Sequence, residues 1–270
     1  MNMLRGYKMS SEDRLIKIQE VPDSKWDVLI ILDACRYDVF EYLNDIPGTL
    51  EKRASKNTTT YDWIQANFKK AYPDILYISG NPMVSKFKLS EFKADTFIDI
   101  EPVWDYGWDE KLKAVPPEPV TDASIKLINK DPSLYKRFIV HYLQPHTPYL
   151  KNPKTHIGRG MLWEFRESKE NRSLPMSEVN KMGPTLLYYA RSKFTDEELR
   201  IAYFNNVLYV LEEVKRLLKN IPKDKEVIIS SDHGECLGYE EENMLWGHAP
   251  NLPYMSARIV PWFRVDMSAI

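Results

Sequence analysis

EVIISSDHGECLGYEEENMLWGHAPNLP, residues 226–253, decides how the rest of this 270-residue chain is read. Val227, Ile228 and Ile229 form a short β-branched apolar run, the composition of a strand buried on both faces of a parallel sheet. The run stops at Ser230, Ser231, Asp232, His233, Gly234 and Glu235, so a carboxylate and an imidazole stand where the strand leaves its sheet. In open α/β sheets ligands bind outside the carboxyl ends of strands. Asp beside His is a donor pair suited to zinc or manganese. A second histidine, His248, follows across a glutamate-rich loop. Taken alone, the stretch also fits a polar turn with a solvated histidine.

The layout recurs upstream. Residues 26–32, WDVLIIL, are the strongest strand in the chain and run directly into Asp33, Ala34, Cys35, Arg36, Tyr37 and Asp38, with a helix expected over 37–44. Two strands ending in a carboxylate can bring both to one sheet edge. A helix cap at Asp33 explains one such tip but not the pair. Strands are also expected over 74–79 (DILYIS) and 137–143 (RFIVHYL). The second leads into QPHTPY, which puts His146 just beyond the strand in a loop stiffened by prolines. His141, inside that strand, reads as a packed core residue. RIVPWFR, 258–264, is interrupted by Pro261 and reads as an edge strand.

Thr58, Thr59 and Thr60 precede a helix carrying Trp63, Ile64 and Phe68 on one face. Threonine there is either a cap or a hydroxyl at the positive helix end, where a phosphate is welcome and a neighbouring metal would make a nucleophile. Thr195 and Glu198 form a capping box that opens a helix running to residue 220. Its Val207, Leu211, Val214, Leu218 stripe is core rather than chemistry. PPEP, 116–119, reads as loop before a helix over 121–130. Residues 151–192 are irregular and expected to cover the site.

Composition narrows the class. Hydrophobic content of 43% and charged content of 28% are those of a soluble globular protein. A net charge of -2 gives no case for nucleic-acid binding. Cys35 and Cys236 do not make a disulfide framework. No apolar run approaches the roughly 18 residues of a membrane span, and the first residues lack the apolar core of a signal peptide. One domain over 1–270 in a reducing, cytoplasmic setting is the simplest expectation.

WDVLIILDACRYD, the threonine cluster before a helix, LQPHTPY, and SSDHGECLGYEEENMLWGH followed by LPY together resemble the alkaline phosphatase superfamily, in the sulfatase-like branch that includes phosphoethanolamine transferases and lipoteichoic acid synthase. The motifs stand in the family's order across residues 26–262. The resemblance implies an α/β three-layer sandwich, with a mostly parallel central sheet flanked by helices. It implies a metal-dependent hydrolase of phosphate or phosphodiester esters, less so of sulfate, working through a covalent threonine intermediate. A phosphotransferase or mutase using the same centre, and a non-catalytic binder of phosphorylated or sulfated glycan, are the alternatives. The substrate would be a small-molecule, glycan or lipid-headgroup ester. A divalent metal, zinc or manganese ahead of calcium or magnesium, would be held by Asp33, Asp232 and His233 with a threonine completing the set.

Matching the run Asp62, Trp63, Ile64 to the transferase pattern puts that nucleophilic threonine at Thr58, with Thr59 and Thr60 open by slippage. His146 and His248 match positions that bind a second metal or the substrate's charged group. Arg36 and Asp38 match a motif that supports the first ligand. The chain departs from the family at three points. It has no Cys-x-Pro-x-Arg motif of dedicated sulfatases, no Asp in the His146 loop to complete a second metal site, and no membrane helices of the lipid-modifying transferases.

Overall fold

A computed structural model describes residues 16–85, 96–130, 135–151, 191 and 193–270. The segment expected to cover the site lies, apart from its ends, outside the described residues.

Eight strands form one sheet: β1 (Lys17–Ile18), β2 (Val28–Leu32), β3 (Gly48–Ala54), β4 (Tyr72–Ser79), β5 (Phe97–Glu101), β6 (Arg137–Tyr142), β7 (Val227–Ser230) and β10 (Ile259–Val265). The order is β1-β3-β10-β7-β2-β6-β4-β5. β7, β2, β6, β4 and β5 run parallel in an unbroken block, and β10 is antiparallel to both its neighbours. A two-stranded ribbon, β8 (Cys236–Leu237) with β9 (Trp246–Gly247), stands apart.

The unbroken apolar letters of β2 follow from its central place. All five of its side chains are fully buried, each worth about 1.5–3 kcal/mol relative to exposure. Because side chains alternate along a strand, they serve two cores. Val28, Ile30 and Leu32 join Val140, Val227 and Ile229 in the larger cluster. There they meet α1 (Tyr37–Leu43), α4 (Pro117–Ile128) and α5 (Asp196–Lys219). Leu29 and Ile31 join Tyr77, Ile139 and Ile228 on the opposite face, against Trp63 and Ile64 of α2 (Thr60–Asn67). Helices, sheet and helix thus make the three layers expected. A short α3 (Val103–Tyr106) packs beside α4. No described helix is long and apolar enough to cross a membrane.

Local expectations hold where local chemistry decides. Thr195 and Glu198 cap α5 reciprocally, and its expected stripe is buried. Two expectations are corrected. Residues 116–119 do not form a loop, because Pro117 opens α4, where a missing N–H has no intrahelical partner to lose. β10 is not an edge strand, since it lies between β3 and β7. Its ladder with β7 begins at Trp262, one residue past Pro261, and the Ser230 hydroxyl donates to the Pro261 carbonyl at 2.5 Å. That side-chain bond satisfies the Pro261 carbonyl and ties β10 to β7 at the one position where proline has no N–H to give.

Candidate metal and ester-transfer centre

Four adjacent parallel strands deliver the site. Asp33 follows β2, Asp232 and His233 follow β7, Asn81 follows β4, and His141 sits one residue before the end of β6. Pairing of Ile31 with both His141 and Ser230, and of Ser79 with His141, sets these ends level. Asp33, Asn81, His141 and Asp232 continue the alternation of the face that α2 covers, and α2 supplies Thr60.

One ligand atom each from Asp33, Asp232 and His233 lies within 4.8 Å of the others, and all three residues are buried. His233 Nε2 stands 3.6 Å from Asp33 Oδ1 and 3.5 Å from Asp232 Oδ2. Donors at about 2.1 Å from one tetrahedral ion lie about 3.4 Å apart, so the spacing fits a shared cation. Hydrogen-bond accounting agrees. His233 Nδ1 faces the Gly234 carbonyl at 2.8 Å. A carbonyl only accepts, so Nδ1 carries the hydrogen and Nε2 presents its lone pair. Yet among the described residues Nε2 has no hydrogen-bond partner, nor does Asp33 Oδ1. Buried polar atoms left unpaired are costly, and a dication would satisfy both.

The electrostatics are those of a ligand set. Burial by itself would raise the Asp33 pKa, but His146 and His141 offset it and hold the carboxyl well below its ordinary range. Burial lowers the His233 pKa, which keeps the ring neutral and able to ligate. Gly234 is fixed by close approach: a Cβ there would come within 2.0 Å of the Ser256 carbonyl oxygen.

The threonines divide the roles between them. Thr59 is the N-cap of α2, accepting from Asp62 N. Thr60, the first helical residue, donates its hydroxyl to Asp232 Oδ2 at 2.7 Å and lies 3.4 Å from Asn81 Nδ2. Thr58 is turned elsewhere, donating to the Ala249 carbonyl at 2.6 Å and accepting from Leu252 N at 3.3 Å. The threonine beside the ligand atoms is therefore Thr60 rather than Thr58. Asp33 caps nothing, since α1 begins after Arg36. Its Oδ2 accepts from Asn81 at 2.5 Å.

His146 and His248 flank the cluster. Their ring centres are 5.1 Å apart, and that of His248 is 4.2 Å from His233. His146 Nδ1 faces the Thr147 carbonyl at 2.7 Å. His248 is not among the three clustered ligands. Its Nδ1 faces both oxygens of Glu235 at 3.1 and 3.2 Å. Burial works against an imidazolium at His248, but Glu235, then Asp33 and Asp232, push its pKa up to about 9.

Arg36 is fully buried and stands outside this cluster. It pairs with Asp38 and Glu242 and donates to the Glu235 carbonyl. It holds the β8–β9 ribbon, and with it Glu235, against the start of α1. Both thiols are buried, and burial pushes Cys236 up to about 12 and Cys35 well above the usual range, so neither is a ready thiolate.

Three site residues escaped the sequence reading. His141, expected to be core, is buried, but among the described residues its Nε2 has no hydrogen-bond partner, and it stands 3.7 Å from Asp33 Oδ2 and 3.9 Å from Asp232 Oδ2. Its Nδ1 is engaged by the Tyr77 hydroxyl at 2.7 Å. Asn81 could have been found by the strand-tip rule that found Asp33. Glu235 had no signal beyond its place in the motif.

No protein-family model matches the sequence, and no curated protein matches it. Solved structures do. The soluble domain of lipooligosaccharide phosphoethanolamine transferase A from Neisseria meningitidis matches over 93% of this chain and 81% of its own, at 16% identity and TM-score 0.50. The phosphonate monoester hydrolase of Agrobacterium radiobacter matches over 90% and 68%, at 13% and 0.51. A Bacteroides thetaiotaomicron protein assigned as a sulfatase matches over 90% and 64%, at 13% and 0.52. The chain spans about half of the integral membrane form of the Neisseria transferase. At these identities the likeness establishes the fold alone, which this chain shares with those transferase, hydrolase and sulfatase domains.

Proposed function

We propose that the chain is a metal-dependent enzyme that cleaves or transfers phosphate or phosphodiester esters through a covalent intermediate on Thr60. The observation that carries this reading is the Thr60 hydroxyl, 2.7 Å from an aspartate that shares a three-ligand cluster and set at the N-terminus of a helix. A divalent cation held by Asp33, Asp232 and His233 would supply Lewis-acid polarisation of the phosphoryl oxygen and the threonine hydroxyl.

The chain's own groups account for the rest. Asp232 Oδ2 accepts the Thr60 hydrogen and so orients an oxygen lone pair. Asn81 holds Asp33 in place. Thr60 Oγ1 bonds to phosphorus as its hydrogen passes to Asp232 Oδ2 and the bond to the leaving oxygen breaks. His248, kept protonated by Glu235, and His146 face the non-bridging and leaving oxygens. His248 can give its Nε2 proton to the departing group, since Nδ1 is engaged by Glu235. Water then releases the phosphoryl group by hydrolysis, or an acceptor hydroxyl takes it by transfer.

Phosphate is favoured over sulfate because the nucleophile is an unmodified threonine. Phosphate esters also place more charge beside the two histidines than sulfate monoesters do. The zinc or manganese preference and the lipid-headgroup or small-molecule substrate belong to the same proposal. The test is elemental analysis of the purified protein together with kcat/KM for matched nitrophenyl phosphate, phosphodiester and sulfate under zinc, manganese, magnesium and calcium. A metal-dependent phosphate-ester preference is expected. A sulfate preference, or turnover indifferent to metal, would overturn the assignment.

A further inference from the structure

Tyr203 takes no part in the chemistry above, yet its phenol spends both hydrogen-bonding roles on the turn that follows Asp33. Carried by α5, it is fully buried. Its hydroxyl donates to the Ala34 carbonyl at 2.8 Å and accepts from Arg36 N at 3.0 Å. Ala34 has φ +59°, a left-handed conformation that a residue with a Cβ adopts at a cost. The same residue's N–H donates to Asp232 Oδ1 at 3.2 Å. One strained residue therefore sits between two carboxylates of the cluster, with its amide on Asp232 and its carbonyl on Tyr203.

We propose that Tyr203 is a positioning residue for the dication site: its hydroxyl holds the left-handed turn at Ala34 that aims Asp33 at Asp232 and His233. The inference rests on the reading of that cluster as a metal site. Without the tether the Ala34 carbonyl loses its buried partner, and the residue relaxes toward ordinary dihedrals. That relaxation turns the preceding carboxylate and lifts the amide off Asp232. Burial also raises the phenol's pKa well above its ordinary value, so the hydroxyl keeps its proton as a donor. Ring packing on Tyr149 and Phe204 would survive the loss of the oxygen alone.

The experiment uses the full chain and its Tyr203→Phe variant, with zinc and manganese ions alone as probes, titrated by calorimetry against a competing chelator. Metal-free samples are followed in parallel by amide hydrogen exchange. Tyr203→Phe should bind the ions about tenfold more weakly, and the Cys35 and Arg36 amides should exchange about tenfold faster, the scale of one lost buried hydrogen bond. Adding Ala34→Gly, which accepts positive φ without strain, should recover affinity to within about threefold. A role in packing alone would show no such recovery. Unchanged affinity and exchange in Tyr203→Phe, or a loss that Ala34→Gly leaves intact, overturns the proposal. If Tyr203→Phe does not fold, Ala34→Val with Tyr203 in place must weaken ion binding, because a β-branched residue resists positive φ, and unchanged binding there overturns it equally. Should the wild type bind neither ion, the metal reading fails, and amide exchange at Cys35 and Arg36 decides the positioning role on its own.

Discussion

Thr58 and Thr60 stand two positions apart, and that spacing decides which hydroxyl meets the cluster. Thr59 takes the cap, so the residue after it begins the helix and faces the sheet, while the residue before it faces the Ala249–Leu252 loop. Thr60→Ala should reduce turnover by three orders of magnitude or more, with metal still bound by three ligands, whereas Thr58→Ala should keep activity within about tenfold. Steady-state kinetics with metal analysis on both variants checks this, and the opposite pattern would return the nucleophile to Thr58. Asp232→Asn and His233→Ala should each lose the metal while keeping the far-ultraviolet spectrum. Metal content equal to wild type would show that the cluster is not the site. The sequence exposed Asp33, Asp232 and His233 because polar letters interrupt apolar runs there. It hid His141 because a histidine inside a strand has the same letter whether it packs in a core or aims at a carboxylate. The threonine register was ambiguous for a similar reason, since three consecutive hydroxyls point in three directions and only the helix start assigns them.

At the scale of elements, the β8–β9 ribbon is held by a buried charge. Arg36 lies between Asp38 and Glu242, and Glu242 also accepts from the backbone amides of Leu237 and Tyr239. Breaking a buried pair by removing one partner costs about 3–5 kcal/mol. Arg36→Ala should therefore lower unfolding free energy by about that amount, measured by urea denaturation of the metal-free protein. A change under about 1 kcal/mol would mean that the ribbon is held by other contacts. β2, β4, β6 and β7 were legible because their apolar runs are continuous and buried. β3 was not, since most of its residues are polar and exposed or half-buried near the sheet's margin. β10 was legible as a strand but misplaced, because the rule that sends proline to edges does not foresee a serine hydroxyl answering the proline carbonyl.

For the whole molecule, metal and fold should be linked. Two aspartates and a histidine, all buried, carry a desolvation cost that a bound dication offsets. An ion at one hundred times its dissociation constant would stabilise the native state by about 2.7 kcal/mol. Chelation should thus lower the melting temperature and zinc or manganese should restore it, as read by calorimetry, while Asp232→Asn should show no shift with added ion. A melting temperature indifferent to chelator in the wild type would contradict this.

The strand order has a consequence for how the protein comes into being. β2, near the beginning of the chain, lies between β6 from its middle and β7 from its last quarter. A nascent chain therefore waits through some two hundred residues of synthesis before the second wall of β2 exists, and until then an apolar strand lacks its neighbour. Pairings so distant along the chain are slow to form, and unpaired apolar strands are prone to associate. Asp232 and His233 arrive with that last wall, so a ribosome-bound fragment has no complete ion site, and the centre is assembled only when the sheet is nearly finished.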